Sequence, residues 1–494
     1  DLLELLNRSD VRPSSLVPPI LTALMLHPVL SPFLKTITPA TNARDINYFS
    51  VAEAFETIPL LLRVMKLSPL FSPDIERMLT TMRHAMLVET TAGKADDRGL
   101  MFSTALAVQC FTNEYVFAET DDEKAEVETL EQQVASLVDQ GEDVSASYVV
   151  ALGAYRGLFH FPWAEKLSRQ ASMSGIEDVI KRQILEPLEE RRLRADIPRL
   201  TTIDNSISKA VREQYEENPY PRWTALKASK AKSQGVPPEL SPGEKESPEI
   251  KEILVAGCGT GQHALETAYR YPDCRVLAVD LSLSSLSYAQ RKINELGLDN
   301  IEYCQGDIME FEALTRRFDL IESVGVLHHM EDPLAGWRKL AALLRPKGRM
   351  NIGLYSETAR QHIVEARSMI AEKGYTGAAD DIRQCREDIL EMARYGNRSM
   401  AEICLVGDFF SLSTCRDLLF HVQEHRFTLL KIEKALQALG LVFLDFEMKN
   451  EVREKFRQMY SSRESLASLT LWHAFELTNP DTFLGMYQFW CRKA

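Results

Sequence analysis

Ile253-Leu-Val-Ala-Gly-Cys-Gly-Thr-Gly-Gln-His263 is the stretch whose reading decides the fold of this chain. An apolar run passes directly into Gly257, Gly259 and Gly261, and from there into residues of helical spacing. Glycines let the backbone approach a ligand closely, and the start of a helix points unpaired N–H groups at an anion. Taken alone the loop fits nicotinamide and flavin enzymes as well.

Downstream of it, short apolar strands alternate with helices. The strands are expected at Glu252–Ala256, Arg275–Asp280, Ile301–Gln305, Phe318–Ser323 and Arg349–Leu354. Helical segments, among them His263–Tyr271, Leu283–Gly297 and Leu334–Leu344, separate them. Such alternation predicts a doubly wound α/β fold, a parallel sheet covered on both faces. A helix over Leu429–Leu439 and strands over Leu441–Met448 and Met486–Cys491 bring the sheet to seven strands. The intervening stretch 356–428 reads as helical, an insertion rooted at the carboxyl end of the fifth strand. Open α/β sheets bind ligands at that edge, so this insertion is expected to act as a lid.

Upstream, residues 1–200 read as a helical amino-terminal domain. Ile75–Glu89, Asp122–Gln140 and Ser174–Arg194 space their apolar residues by three or four. No convincing repeat of tetratricopeptide length is found, and no catalytic motif, so a scaffold or partner-binding role is expected. Residues 201–250 connect this domain to the core. They hold the aromatic, proline-rich Tyr215-Glu-Glu-Asn-Pro-Tyr-Pro-Arg-Trp223 and a polar linker from Lys227 to Glu249. The domains are therefore 1–200, the connection 201–250, a core over 251–355, the lid 356–428, and the end of the core over 429–494.

The chain has 494 residues, 45% hydrophobic and 26% charged, as in ordinary globular proteins with more than one core. Leu16 to Leu34 is the most apolar early stretch, but Pro18, Pro19, Pro28 and Pro32 interrupt it. It lacks the basic start and cleavage site of a signal peptide and is read as a core-facing helix. No membrane association is expected. A net charge of −14 argues against coating nucleic acid. Eight cysteines without a CxxC pair fit free thiols in a reducing cytoplasm. Asp1 stands where a Met would begin, so further residues are expected upstream. The oligomeric state is not legible.

Three features narrow the glycine loop. Asp280 ends the second strand, 19 residues after Gly261, where a carboxylate accepts bonds from ribose hydroxyls. Gly306-Asp307 follows the third strand and brings a second carboxylate near an adenine amino group. The fourth strand then runs Phe318-Asp-Leu-Ile-Glu-Ser-Val-Gly-Val-Leu-His-His-Met-Glu-Asp-Pro333.

Together these four stretches resemble the successive motifs of class I S-adenosylmethionine-dependent methyltransferases, over roughly residues 250–355. The resemblance implies a Rossmann-like sheet with S-adenosyl-L-methionine as cofactor and S-adenosyl-L-homocysteine as product. It implies Gly257, Gly259 and Gly261 beside the methionine moiety with Cys258 and Gln262, Asp280 and Leu281 at the ribose, and Asp307 and Ile308 at the adenine. The family commonly carries an acidic residue two positions before the first glycine, where this chain has Val255. Tyr215, in the segment just upstream of the core, is the candidate to cover the amino-acid end instead. More narrowly, Val326-Leu-His-His-Met-Glu-Asp-Pro-Leu-Ala-Gly-Trp337, Ile352-Gly-Leu-Tyr-Ser-Glu357 and His421-Val-Gln-Glu-His-Arg-Phe427 resemble the methyltransferase module often fused to tetratricopeptide repeats.

Methyl transfer from a sulfonium is an in-line displacement, so the protein aligns the acceptor and, where needed, removes its proton. Candidate catalytic groups are Glu322, His328 and His329 at the fourth strand, and His421 and His425 in the lid. Tyr355, Asp408, Arg416, Glu424 and Arg426 are candidates to bind a small-molecule or peptide acceptor. Each has a structural alternative in packing or a salt-bridged helix surface. Glu322 and Glu331, nine apart, are similar in spacing to the paired glutamates of protein arginine methyltransferases, which grip a guanidinium. His421-Val-Gln-Glu-His425 matches the H-x-x-E-H of some zinc peptidases, where a helix brings both histidines to one metal. No metal is expected here, because the segment interrupts a methyltransferase core. Two rivals remain: a binding protein that keeps the cofactor fold without turnover, and an oxidoreductase using the same loop.

Overall fold

The computed structural model describes residues 1–8, 10–94, 98–217, 219, 222–226 and 249–493. The linker expected from Lys227 to Glu249 lies, up to Pro248, outside the described residues, as do Asn218, Tyr220 and Pro221 of the aromatic segment. Within the described residues the chain divides into two compact units.

One unit takes in Asp1–Arg192, Arg222–Lys227 and Ala366–Phe420. Its centre is the helix Leu100–Thr112, buried on every side from Phe102 onward. Helices Pro73–Thr91, Asp121–Gln140 and Ala146–Gly153 form where the three-and-four spacing places apolar residues. Thr120 and Glu123 close a reciprocal capping box at the start of Asp121–Gln140. The stretch Ser174–Arg194, expected as one helix, is Glu177–Ile180, a π turn over Lys181–Leu185 and Glu186–Leu193. The cause is buried Gln183, whose amide donates to the carbonyls of Ala107 and Gly153 (3.1 and 2.9 Å). Leu16–Leu34 is likewise not one helix. Pro13–Met25 and Leu30–Thr36 bend by 83° across Pro28, and their apolar side, from Val17 to Leu30, turns into the core. Among the described residues no single helix is long and apolar enough to cross a membrane.

The second unit takes in Leu193–Pro221, Ala228–Glu365 and His421–Ala494 and holds the sheet. Its strands are β1 (Glu252–Ala256), β2 (Arg275–Asp280), β3 (Ile301–Gln305), β4 (Phe318–Val324), β5 (Leu344–Tyr355), β6 (Leu441–Phe446) and β7 (Met486–Lys493). They lie in the order β3-β2-β1-β4-β5-β7-β6, with β1 to β5 parallel and β7 antiparallel to both its neighbours. The strand order turns around between β1 and β4, which opens a crevice at their carboxyl ends. β5 begins at Leu344, earlier than Arg349, because the register shifts after Phe318 and Lys347 adopts φ 63°.

Helices cover the sheet. Trp337, Leu340, Ile432, Leu436, Trp472 and Phe475 pack against strand residues such as Ile321, Ile352 and Phe489. Each such fully buried side chain contributes about 1.5–3 kcal/mol relative to exposure. The stretch expected as an insertion is divided: Ala366–Phe420 packs with the amino-terminal helices, whereas 356–365 and 421–428 stay with the sheet. Residues 421–428 are also not helical. The helix Leu412–Phe420 ends first, and Phe427 pairs in parallel with Ser356, its N–H donating to the Tyr355 carbonyl (2.9 Å). The H-x-x-E-H match therefore lacks the helical turn that would bring His421 and His425 to one face.

Candidate active site

The crevice is built from loops that leave β1, β2, β3 and β4. After β1, the N–H groups of Gly257 and Cys258 both donate to the Val279 carbonyl (2.8 and 3.1 Å), pinning the glycine loop onto β2. Gly257 and Gly261 have φ 76° and 81°, and a Cβ on either would run into Val326 or into the Tyr303 hydroxyl. Only glycine fits both the conformation and the space. Gln262 opens the helix Gln262–Arg270, and Cys258 is buried, its thiol pKa pushed well up by that burial.

Asp280 stands at the end of β2, half-buried. Its Oδ2 accepts from the Gly259 N–H (2.7 Å) and its Oδ1 from the Ser282 N–H (3.0 Å). Burial raises its pKa, against which these backbone bonds pull downward. Each carboxylate oxygen has two lone pairs, so both still have capacity for a hydroxyl donor. Leu281 follows, its carbonyl taking the Gln305 amide (2.9 Å).

Asp307 and Ile308 follow β3 and are buried. Asp307 Oδ1 accepts from the Met309 N–H (2.9 Å), while Oδ2 is buried without a hydrogen-bond partner among the described residues. An unsatisfied buried carboxylate oxygen is costly unless a ligand donor meets it. The orphaned oxygen, the paired loop and Asp280 fit an adenosine with a sulfur-linked amino acid.

Sequence reasoning missed one wall of this crevice. The segment before Asn205 runs beside β3: Leu200 N–H donates to the Gln305 carbonyl (2.7 Å) and Gln305 N–H to that of Pro198 (2.8 Å). Thr201 Oγ1 then accepts from the Asp307 N–H (2.8 Å). No motif marks these residues; only the unpaired edge of β3 called for a partner. From there the helix Ser206–Glu217 leads to Tyr215, whose carbonyl takes the Ser282 hydroxyl (3.1 Å), beside Asp280.

At the carboxyl ends of β4 and β5, rings are stacked. His328 lies on Tyr355 (centroids 3.7 Å apart) and His329 on His421 (3.6 Å). His328 is wholly buried, and burial holds its pKa well below the ordinary imidazole value. His329 Nδ1 meets the Gln423 carbonyl (2.8 Å), so that nitrogen carries the proton and donates. His421 Nδ1 accepts from the Gln423 N–H (3.1 Å), and His425 Nε2 accepts from the Gln423 side-chain amide (2.9 Å). Arg360 lies over the Tyr355 ring (3.7 Å) and donates to the buried Glu424 (2.9 Å), which Arg426 also approaches (3.4 Å).

Asp408 and Arg416 belong to the helical unit, on the turn Gly407–Phe410 and the helix Leu412–Phe420, where Arg416 Nε donates to the Gly377 carbonyl (2.9 Å). Glu322 is fully buried beneath the helix Gln262–Arg270, paired with His263 and Thr267. Glu331, the residue grouped with it by spacing, is exposed and accepts from Asn205 (3.0 Å). The two carboxylates thus have separate partners.

A family model described as a methyltransferase domain matches residues 253–348, β1 to the middle of β5. The chain carries a class I methyltransferase domain. Its cofactor is S-adenosylmethionine. Curated proteins similar to it include an uncharacterized protein of Synechococcus sp., 29% identical over 251 residues, 47% of this chain and 60% of that protein. A malonyl-[acyl-carrier protein] O-methyltransferase of Priestia megaterium is 26% identical over 186 residues, 37% of this chain and 58% of its own. This chain therefore spans about three fifths of the length of these relatives. Among solved structures, PKMT2 from Rickettsia typhi in complex with AdoHcy is similar over 49% of both chains, at 18% identity and TM-score 0.40. The matched residues open on β1 and the glycine loop and include His328 and His329 of the ring stack, while Tyr355 and His421 follow them in the chain.

Proposed function

We propose that the protein transfers the methyl group of S-adenosylmethionine to a small-molecule or peptide acceptor, with His329 taking the acceptor's proton. The observation that carries this reading is the buried, unsatisfied Oδ2 of Asp307, which follows β3 at the same edge of the parallel strands as Asp280 and the glycine loop. When bound, the cofactor supplies a methyl group on a positively charged sulfur, ready for in-line displacement. Asp280 accepts from the ribose hydroxyls, and Asp307 from the adenine amino group. Cys258, Gln262, Leu281 and Ile308 line the loop around them.

His329 is the candidate base because it follows β4 at the carboxyl edge of the sheet and its Nδ1 is oriented by donating to the Gln423 carbonyl (2.8 Å). The parallel His421 ring and the edge of His328 fix its plane. Tyr355 is held in turn by Arg360 and Glu424. Arg426 and His425 sit on the same segment and belong to the acceptor side of this proposal. The resemblance to the module fused to tetratricopeptide repeats is part of the same reading and rests on 326–337, 352–357 and 421–427.

Methyl-tritiated S-adenosylmethionine incubated with the protein and a cell extract, separated afterwards by molecular size, tests it. Label is expected in one size fraction with the wild-type protein and in none with Asp280→Ala. An extract left unlabelled by a wild-type protein that also fails to bind S-adenosylhomocysteine overturns the reading.

A further inference from the structure

Where related methyltransferases carry an acidic residue, β1 has Val255, 2% exposed and apolar. The register pairs Val255 with Glu322 of β4. Paired residues of adjacent parallel strands project to the same face, so a carboxylate stands one strand across from the expected position. It is fully buried, which is tolerable only with compensation. His263 Nε2 donates to it (3.0 Å), Thr267 Oγ1 donates (2.5 Å), and Arg270 lies 3.9 Å away. All three groups come from the helix that begins directly after the glycine loop.

We infer that His263, held by Glu322, receives the carboxylate of the cofactor's amino-acid end. This rests on the cofactor reading above. With Nε2 committed to Glu322, the Nδ1 edge of the ring faces away from that carboxylate, and the His263 side chain keeps 34% of its surface exposed. It is the second residue of the helix, where free N–H groups already favour an anion. The charged groups facing it are Glu322 from β4 and Glu266 and Arg270 from its own helix. Burial pulls the imidazole pKa down, but the charge and hydrogen bond of Glu322 more than offset this, and the pKa ends raised. Glu322 in turn stays ionised: burial raises its pKa and His263, Arg270 and Thr267 bring it below the ordinary value.

The experiment compares S-adenosylhomocysteine with 5′-methylthioadenosine, which has the same nucleoside and no amino-acid end, by calorimetry. His263→Ala is expected to weaken S-adenosylhomocysteine by about tenfold or more, as loss of a charge-assisted bond does, and to leave 5′-methylthioadenosine unchanged. In the wild-type protein the advantage of S-adenosylhomocysteine is expected to fall as pH rises through the imidazole pKa. In Glu322→Gln that fall moves to lower pH. Equal weakening of both ligands by His263→Ala would mean the histidine only braces the loop, and unchanged binding of both would mean it does nothing there; either overturns the inference while sparing the cofactor assignment. A wild-type protein that binds neither ligand overturns both.

Discussion

Arg386 grips Glu76 with both arms of its guanidinium, Nη1 to Oε1 at 3.0 Å and Nη2 to Oε2 at 2.7 Å, across 310 positions of sequence. The same arginine donates to the carbonyls of Phe409 and Val116 (2.8 and 3.1 Å). It thereby ties 366–420 into the amino-terminal helices of one compact unit. Both side chains are nearly closed to solvent, so removing one strands the other. Glu76→Ala is expected to cost about 3–5 kcal/mol in urea unfolding, and Glu76→Leu with Arg386→Met to recover most of it. A loss below about 1 kcal/mol, the size of an exposed pair, would show the contact to be dispensable.

Asp280→Ala removes the acceptor for the ribose hydroxyls and the anchor of the Gly259 and Ser282 N–H groups. Hydrogen bonds to a charged group contribute about 1.5–3 kcal/mol each, so affinity for S-adenosylhomocysteine should fall by about a hundredfold or more. Calorimetry reads it, and unaltered affinity would remove Asp280 from the site.

Replacing His329 by Gln keeps a polar side chain beside the Gln423 carbonyl but removes the base. Turnover is expected to drop about 10²–10⁴-fold while S-adenosylhomocysteine affinity stays as in the wild type. If the two fell together, His329 would be holding the fold of the crevice rather than taking a proton.

His328 is buried in its neutral form, its pKa held down by burial first and by His329 and Arg360 besides. The unfolded chain binds its proton at higher pH than the folded one. This residue's contribution is therefore intact above the unfolded pKa of about 6.5 and declines below it, by at most about 1.4 kcal/mol per pH unit. His328→Phe, which keeps a ring against Tyr355, should flatten the acid side of the stability profile. Identical acid profiles for the two proteins would show that His328 titrates normally.

The sheet was legible because each strand is short, apolar and bounded by turn residues: β1, β2 and β3 run over the very residues expected. The glycine loop, Asp280 and Asp307 were legible because their roles are tied to strand ends. What escaped depends on tertiary placement. Gln183 interrupts a well-spaced helix with a π turn because two distant carbonyls claim its amide. His421 to Phe427 has a helical composition, but pairing beside Ser356 overrides it. Glu322 was expected to contact the acceptor or the cofactor, because a carboxylate in an apolar strand announces a partner without saying which. Only the register, with Val255 beside it and His263 above, identifies that partner.

The placement of β7 between β5 and β6 has a consequence for assembly. Among the described residues β6 (Leu441–Phe446) pairs with no strand but β7 (Met486–Lys493), which is made later. On the ribosome, β1 to β5 can zip together as they emerge, whereas β6 must wait, its hydrogen-bonding edge open, until its later-made neighbour threads in beside β5. Until β7 is made, neither β6 nor the outer edge of β5 has the strand that pairs with it in the finished sheet.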